Sequence, residues 1–291
     1  MLPSDLWKKA TYSSGLYLDF TTDQDSLFII SNYIKHKNVA NMNNIAVNGI
    51  DLFVHDSVWK HMFGHYNRDN DTLMYYTNGK KEFRLYFPLY NSLKGIEIYP
   101  KVIVNKKEVK KVLFYGTSIT QGASASSSGM SYPSIIGRNL DVESINLGFS
   151  GLGHFTYEIA ELICDVNPDI IVIDCVPNCT PDMILVEGSK FMEKIKSCLA
   201  ETPVIFVESS MRESASYLSK EMSVDYVHSQ NQALKELASM FISENTYYIS
   251  SEQLSVENTA NTIDGTHLNT IGMTRFAEVI GAKIDSILAK N

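Results

Sequence analysis

From Val109 onward, short apolar runs alternate with stretches of helical periodicity, and this alternation constrains the fold more than any other feature of the chain. Strands are expected at 112–115, 143–147, 170–175, 204–208 and 247–250, and helices at 132–140, 157–166, 186–199, 224–242 and 270–289. The run Val112-Leu113-Phe114-Tyr115 is apolar at every position, which suits a strand buried on both faces of a parallel sheet. Five βα units in succession imply a doubly wound α/β fold.

Residues 1–108 have a different texture. Segments 15–20, 26–33, 45–55, 72–77, 82–88 and 95–99 are rich in aromatic and β-branched residues, several with partial alternation. Turn-forming clusters separate them: Thr22-Asp23-Gln24-Asp25, the run 67–71, Asn78-Gly79-Lys80 and Asn91-Ser92. Short strands at this spacing predict an antiparallel sandwich. The expected organisation is a jelly-roll-like β-sandwich accessory domain over 1–108 and an α/β catalytic domain over 109–291.

Where the first α/β strand ends, Gly116 is followed by Thr117, Ser118 and Thr120, small hydroxyl residues at the expected start of a helix. The carboxyl edge of an open α/β sheet is where ligands bind. Ser118 is therefore a candidate nucleophile, although Ser118 or Thr117 also suits a plain helix cap. Far downstream stands Asp264-Gly265-Thr266-His267. Three residues apart in a turn, the carboxylate is placed to accept from one imidazole nitrogen while the other faces a hydroxyl. That combination is a nucleophile, a base and a group that orients the base. Taken singly, Asp264-Gly265 is an ordinary turn and His267 an ordinary loop histidine.

These motifs resemble those of the SGNH (GDSL-type) esterases and lipases. Gly116-Thr117-Ser118-Ile119 matches the family's nucleophile motif, with threonine in place of the usual aspartate, and Asp264 with His267 matches its closing Asp-x-x-His. Asn146-Leu147-Gly148-Phe149-Ser150-Gly151 matches the motif whose glycine donates a main-chain N–H, placed here at Gly151. Val176-Pro177-Asn178-Cys179 stands where the family has Gly-x-Asn-Asp and keeps only the asparagine. A subset of the family carries an N-terminal β-domain, and Tyr86-Phe87-Pro88-Leu89-Tyr90-Asn91 followed by Gly95-Ile96-Glu97-Ile98 looks like the segment that ends it. The resemblance implies an SGNH/flavodoxin-like parallel sheet of five strands and a triad of Ser118, His267 and Asp264. It also implies an oxyanion hole made by the N–H groups of Ser118 and Gly151 with the Asn178 amide. Gly148 and Gly151 equally fit a need for positive φ, and Asn178 after Pro177 a simple turn. His154, three residues past Gly151, is a candidate substrate contact or a plain loop residue.

Composition narrows the function classes. A net charge of −8 and a pI near 5.4 argue against nucleic acid and against an anionic membrane surface. No apolar run approaches the roughly 20 residues of a membrane span. Residues 1–10 hold Asp5, Lys8 and Lys9 with no apolar core segment, so no signal peptide is visible; a cytoplasmic location, or a leader already removed, is expected. Cys164, Cys175, Cys179 and Cys198 are expected as reduced, mostly buried thiols, with a Cys175–Cys179 bridge left open. His61 and His65 have zinc-ligand chemistry, but the Met62-Phe63-Gly64 between them suggests irregular or extended structure, and no metal or other cofactor is expected. The run 67–71 lacks the calcium-loop pattern. Trp59, Tyr66 and Tyr76 suit sandwich core better than sugar stacking.

The resulting expectation is a serine esterase that removes a short acyl group from a carbohydrate or small hydroxylated molecule through an acyl-enzyme. Acetate is the family-level expectation for that group. Passing the acyl group to another alcohol would make the protein an acyltransferase. A silent α/β scaffold whose β-domain holds glycan is the non-catalytic alternative.

Overall fold

The computed structural model describes residues 2–67, 71–76, 79, 81–105, 107–213, 223–256 and 260–290, with backbone alone at 71–73, 75 and 76. Asn78 and Lys80 of the expected turn, and the interior of the 67–71 run, lie outside the described residues.

The first hundred residues form α1 (Ser4–Ala10), β1 (Tyr17–Thr22), β2 (Ser26–Tyr33), α2 (Asn44–Asn48), β3 (Ile50–Asp56), β4 (Val58–His65), β5 (Asp71–Tyr76), β6 (Lys81–Tyr86), β7 (Leu93–Tyr99) and β8 (Ile103–Val104). Their strands make two antiparallel sheets, ordered β4-β3-β6-β1-β8 and β5-β2-β7. Period-2 alternation sends Phe20, Leu52, Phe83 and Leu85 from the first sheet and Leu27 and Ile29 from the second into one shared core.

Two expectations for this region are corrected. Residues 45–55 are not one strand: the Asn43 side chain accepts from the Ala46 N–H and starts α2, so the strand begins only at Ile50. Residues 58–65, assigned no element from the sequence, form β4 against β3, with a bulge between Leu52 and Phe53 that disturbs the register.

The rest of the chain forms β9 (Lys111–Gly116), α3 (Ser118–Gln121), α4 (Tyr132–Asn139), β10 (Glu143–Gly148), α5 (Tyr157–Val166), β11 (Ile170–Asp174), α6 (Pro181–Cys198), β12 (Val204–Val207), α7 (Val224–Met240), β13 (Thr246–Ile249), α8 (Ser251–Leu254) and α9 (Thr270–Leu288). The sheet runs β10-β9-β11-β12-β13 with every pairing parallel. In chain order this is 2-1-3-4-5, and its topological switch point lies between β9 and β11. Val112 and Phe114 face one side, packed with Ile136 of α4 and with Phe276 and Ile280 of α9. Leu113 and Tyr115 face the other, packed with Ile159 of α5, Phe191 of α6 and Leu234 of α7. Helix α6 starts five residues before its expected position because Thr180 caps it, accepting from the Met183 N–H, and Pro181 takes the first helical position.

Cys164 of α5 and Cys198 of α6 are joined in a disulfide, with Cα atoms 5.9 Å apart, which corrects the expectation of four reduced thiols. Cys175 and Cys179 are free and buried.

The N-terminal region is fused to the α/β layer. Ala46, Val47, Leu89 and Tyr90 belong to the same buried cluster as Val112 and Phe114. The serine-rich loop after α3 makes the polar half of this seam. Ser127 donates to Asp51, as does the Gly129 N–H at 2.9 Å, and Ser128 donates to the Gly49 carbonyl at 2.8 Å. Ser124, Ser127 and Ser128 of this loop thus each donate to an acceptor in the N-terminal region, which makes the loop part of the interface.

Candidate active site

Three neighbouring strands end level. Gly116 of β9 pairs with Gly148 of β10 on one side and with Asp174 of β11 on the other. Ser118, Gly151 and Asn178 follow that rung by two, three and four residues, so the chain delivers them to one edge at the switch point. Thr117, not Ser118, caps the helix: its hydroxyl accepts from the Ile119 N–H at 3.2 Å. Capping by its neighbour leaves the Ser118 hydroxyl available at the first helical position. Gly122, at φ +102°, ends α3 after a single turn.

The floor beneath Ser118 is a buried polar knot. Thr120 and Tyr132 both donate to Asp174 Oδ2, at 2.8 and 3.0 Å. Burial pushes the Asp174 carboxyl up to about 7, with the two hydroxyls pulling the other way.

The second half of the site is the loop before α9. Its ends are pinned by a Thr262–Leu268 bridge and by the Asn269 N–H donating to the Asn261 carbonyl at 2.9 Å. Asp264 Oδ1 accepts from the main-chain N–H of Thr266 at 3.1 Å and of His267 at 2.8 Å. Its Oδ2 lies 2.8 Å from His267 Nδ1, and His267 Nε2 lies 2.9 Å from Ser118 Oγ. A carboxylate only accepts, so Nδ1 carries the proton and Nε2 presents its lone pair to the hydroxyl. Burial alone would raise the Asp264 carboxyl. The His267 N–H and ring and the Asn41 amide outweigh that and hold it at about 2.

Gly151 has φ +74°, and a Cβ on it would meet open space, so this glycine answers a backbone need. Gly148 answers a different one: a Cβ there would lie 2.1 Å from the Gln121 main-chain nitrogen. Gln121 fixes the loop between them, accepting from the Ser150 N–H at 2.9 Å and donating to the Leu89 carbonyl at 3.0 Å. Among the described residues, no hydrogen bond takes the Gly151 N–H. Asn178 sits on a single helical turn held from below by Gln230, whose amide donates to the carbonyls of Val176 at 3.1 Å and Cys179 at 2.6 Å. The Asn178 Oδ1 is buried without a partner, and among the described residues no hydrogen bond engages its NH2.

The other sequence candidates have environments of their own. His154 is half-buried, and burial lowers its imidazole. Burial pushes the Cys179 thiol up to about 12 and Cys175 well above its ordinary value, which disfavours the thiolate a cysteine nucleophile needs. His61 lies 2.6 Å from the buried Asp51, a bond that raises its imidazole. Among the described residues, no three His, Cys, Asp or Glu side chains gather in a way that could hold a metal ion. Trp59 is partly buried with the Arg84 guanidinium over its ring at 4.8 Å, and Tyr66 bonds to His36 at 2.7 Å. The Tyr76 side chain lies outside the described residues. No helix among the described residues is long and apolar enough to cross a membrane.

Sequence reasoning missed Asn41, Gln121, Gln230 and Glu213. The first contacts Asp264, with Nδ2 2.9 Å from Oδ2. The last accepts from the Asn261 N–H and from Thr262 at the root of the histidine loop. Gln121 stands three residues after Ser118 on the same short helix, whereas Asn41, Gln230 and Glu213 are brought in by tertiary packing and carry no spacing signal.

Comparison with known proteins gives the family and the fold. Residues 109–285 match the GDSL-like lipase/acylhydrolase family, and residues 1–101 match the N-terminus of SGNH-hydrolase-type esterases. No curated protein matches the sequence. A GDSL-like lipase from Bacteroides ovatus ATCC 8483 is 30% identical over 99% of this chain and 89% of its own, with a TM-score of 0.90. A salicylyl-acyltransferase from a tetracycline biosynthetic pathway has a TM-score of 0.79 at 17% identity, covering 98% of this chain and 86% of its own. A family two carbohydrate esterase from Clostridium thermocellum, solved with cellohexaose, has a TM-score of 0.63 at 15% identity, covering 94% and 92%. The last two likenesses show the fold alone. Domain-wide sequence matches and the level strand ends together establish that the chain belongs to the GDSL-like lipase/acylhydrolase family and is a serine ester hydrolase.

Proposed function

We propose that Ser118 is the nucleophile, His267 the general base and acid, and Asp264 the group that orients it, acting on short-chain acyl esters, acetyl above all, of a carbohydrate or small hydroxylated molecule. The observation that carries this reading is the unbroken chain from Ser118 Oγ to His267 Nε2 at 2.9 Å and from His267 Nδ1 to Asp264 Oδ2 at 2.8 Å. As Oγ bonds to the acyl carbon, its proton passes to Nε2. The carbonyl oxygen takes up the negative charge between the N–H groups of Ser118 and Gly151 and the Asn178 amide. Collapse of the tetrahedral adduct expels the alcohol, which leaves with the proton from Nε2. Water repeats the sequence on the acyl-enzyme and releases the carboxylic acid. His154 lies close enough in sequence to Gly151 to serve as a substrate contact.

In this reading residues 109–291 are the catalytic unit and 1–108 an accessory β-domain seated against it. The Cys164–Cys198 bridge supports an oxidising compartment over the cytoplasm. Carbohydrate as the alcohol portion rests on fold-level analogy with the carbohydrate esterases. An acyltransferase would use the same acyl-enzyme, with a second alcohol taking the place of water.

An ester panel from acetyl to octanoyl, assayed with and without an added alcohol acceptor, tests the reading. Turnover is expected to be fastest for the shortest esters and to fall by roughly a thousandfold or more in Ser118→Ala. Product formed on the acceptor in preference to hydrolysis would move the assignment to acyl transfer, and undiminished activity in Ser118→Ala would end it.

A further inference from the structure

We infer that Asn41, which lies between β2 and α2 in the N-terminal region, is a positioning residue for the Asp264–His267 pair. The β-sheet region therefore completes the active site as well as flanking it. This inference rests on the reading of Ser118, His267 and Asp264 just given and adds a residue outside that triad.

Asp264 is not held by packing: its side chain is 36% exposed and that of His267 25%. Its orientation depends on donors. Oδ1 takes two main-chain N–H groups from its own loop, and Oδ2 takes the imidazole and the Asn41 Nδ2 at 2.9 Å. Among the described residues, Asn41 is the one donor to this carboxylate from outside the 264–267 turn. The amide is oriented with its NH2 toward Asp264 because a carboxylate offers only lone pairs. The same nitrogen lies 3.1 Å from His267 Nδ1, so the amide and the ring converge side by side on a single oxygen.

Asn41 is itself tied to the nucleophile's side. Its main-chain carbonyl accepts from Ser124 Oγ at 2.8 Å, and Asn43 Nδ2 donates to the Ser126 carbonyl at 2.9 Å. Ser124 stands two residues after Gly122, the end of the helix that begins with Ser118. One hydrogen-bonded path thus runs from the nucleophile's helix through Ser124 and Asn41 to Asp264, setting the distance that the imidazole must span. The amide also draws charge from Oδ2, so the carboxylate holds a positive imidazole less tightly than it otherwise would. Among the described residues, the Glu213 carboxylate also serves this loop, engaging Asn261 and Thr262 at its root.

The test compares wild type, Asn41→Ala and Asn41→Asp by kinetics on an acetyl ester across pH and by the downfield proton resonance of the His267 Nδ1–H. In Asn41→Ala, kcat is expected to fall roughly tenfold, the worth of one hydrogen bond to a charged group, with KM within about twofold. The acidic limb of the kcat/KM profile moves to higher pH, and the resonance shifts. Asn41→Asp, nearly isosteric but without a donor at neutral pH and repelling Asp264, loses more. An unchanged kcat, limb and resonance in Asn41→Ala would overturn the inference, as would a fall in melting temperature with the limb and resonance unmoved. If Ser118→Ala kept full activity, the nucleophile reading would fail, while the resonance would still decide whether Asn41 holds the pair.

Discussion

The shelf that carries Ser118 and the loop that carries His267 meet at 2.9 Å, yet different forces hold them in place. On the shelf, Thr120, Gln121, Tyr132 and Asp174 are each at most 1% exposed, and Cβ atoms added at Gly116 or Gly148 would strike their neighbours at 2.0 and 2.1 Å. Position there is set by close packing, which tolerates almost no displacement. The loop buries little, and its shape comes from hydrogen bonds that cross it from Asn269, Glu213 and Asn41. The two carboxyls express the same contrast. Burial drives Asp174 up to about 7, whereas donors overcome a smaller burial and hold Asp264 at about 2. A site assembled in this way has one half that is rigid by exclusion of space and another that depends on a few named bonds.

The largest expected effect tests that division at the loop. Asp264→Asn keeps the shape but presents an amide that can donate to Nδ1, favouring the tautomer whose Nε2 carries the proton and cannot take one from Ser118. A fall in kcat of roughly a thousand- to ten-thousandfold is expected, measured by single-turnover acylation. The melting temperature should change by no more than a few degrees, because so little is packed around this side chain. Collapse of stability alongside activity would show that the loop is core-like and would break the comparison.

The same contrast decides what was legible in the sequence. Packed regions write continuous patterns. Residues 112–115 and 170–173 are apolar on both faces because helices cover both, and the alternation of such runs with helical stretches marks a parallel doubly wound sheet. Ser118, Asp264 and His267 were legible because local chain geometry requires them close to a strand end or to each other. Regions held by single bonds write nothing. Asn41 and Asp264 are 223 residues apart, and no periodicity links them. Residues 45–55 were misread because Ile45, Ala46 and Val47 are apolar in either a strand or a helix, and Asn43 as a cap is an ordinary asparagine until its partner is seen. The Cys164–Cys198 pair stood 34 residues apart on helices whose adjacency only the fold reveals.

An intermediate effect probes the shelf through its buried acid. The folded-state value of Asp174 is raised from about 4 to about 7, so its stabilising contribution is fully present below about pH 4 and is lost as pH rises through about 7. Asp264 runs the other way: its contribution is present above about pH 4 and lost as pH falls toward 2. Asp174→Asn can still accept from Thr120 and Tyr132 but cannot ionise. Wild type should therefore lose several degrees more than the variant between pH 5 and pH 8 in thermal melts. Equal losses in the two proteins would show that the ionised carboxylate is tolerated on the shelf, and that the shelf is less closed to water than its packing implies.

The smallest effect is expected at Glu213, because the groups it serves are exposed. Its carboxylate accepts from the Asn261 N–H and the Thr262 hydroxyl, and that hydroxyl in turn accepts from the Gly265 N–H at 3.0 Å. In Glu213→Ala, water replaces the carboxylate at both donors, so the cost is about 1 kcal/mol or less in stability and a few-fold in kcat. Glu213→Gln, which keeps one acceptor, should recover part of that loss. The ranking carries the test: Glu213 braces the root of the loop and Asn41 its working carboxylate. A Glu213→Ala loss as deep as that of Asp264→Asn would mean that the loop stands or falls as one unit, with its hydrogen bonds cooperating as closely as the packed atoms beneath Ser118.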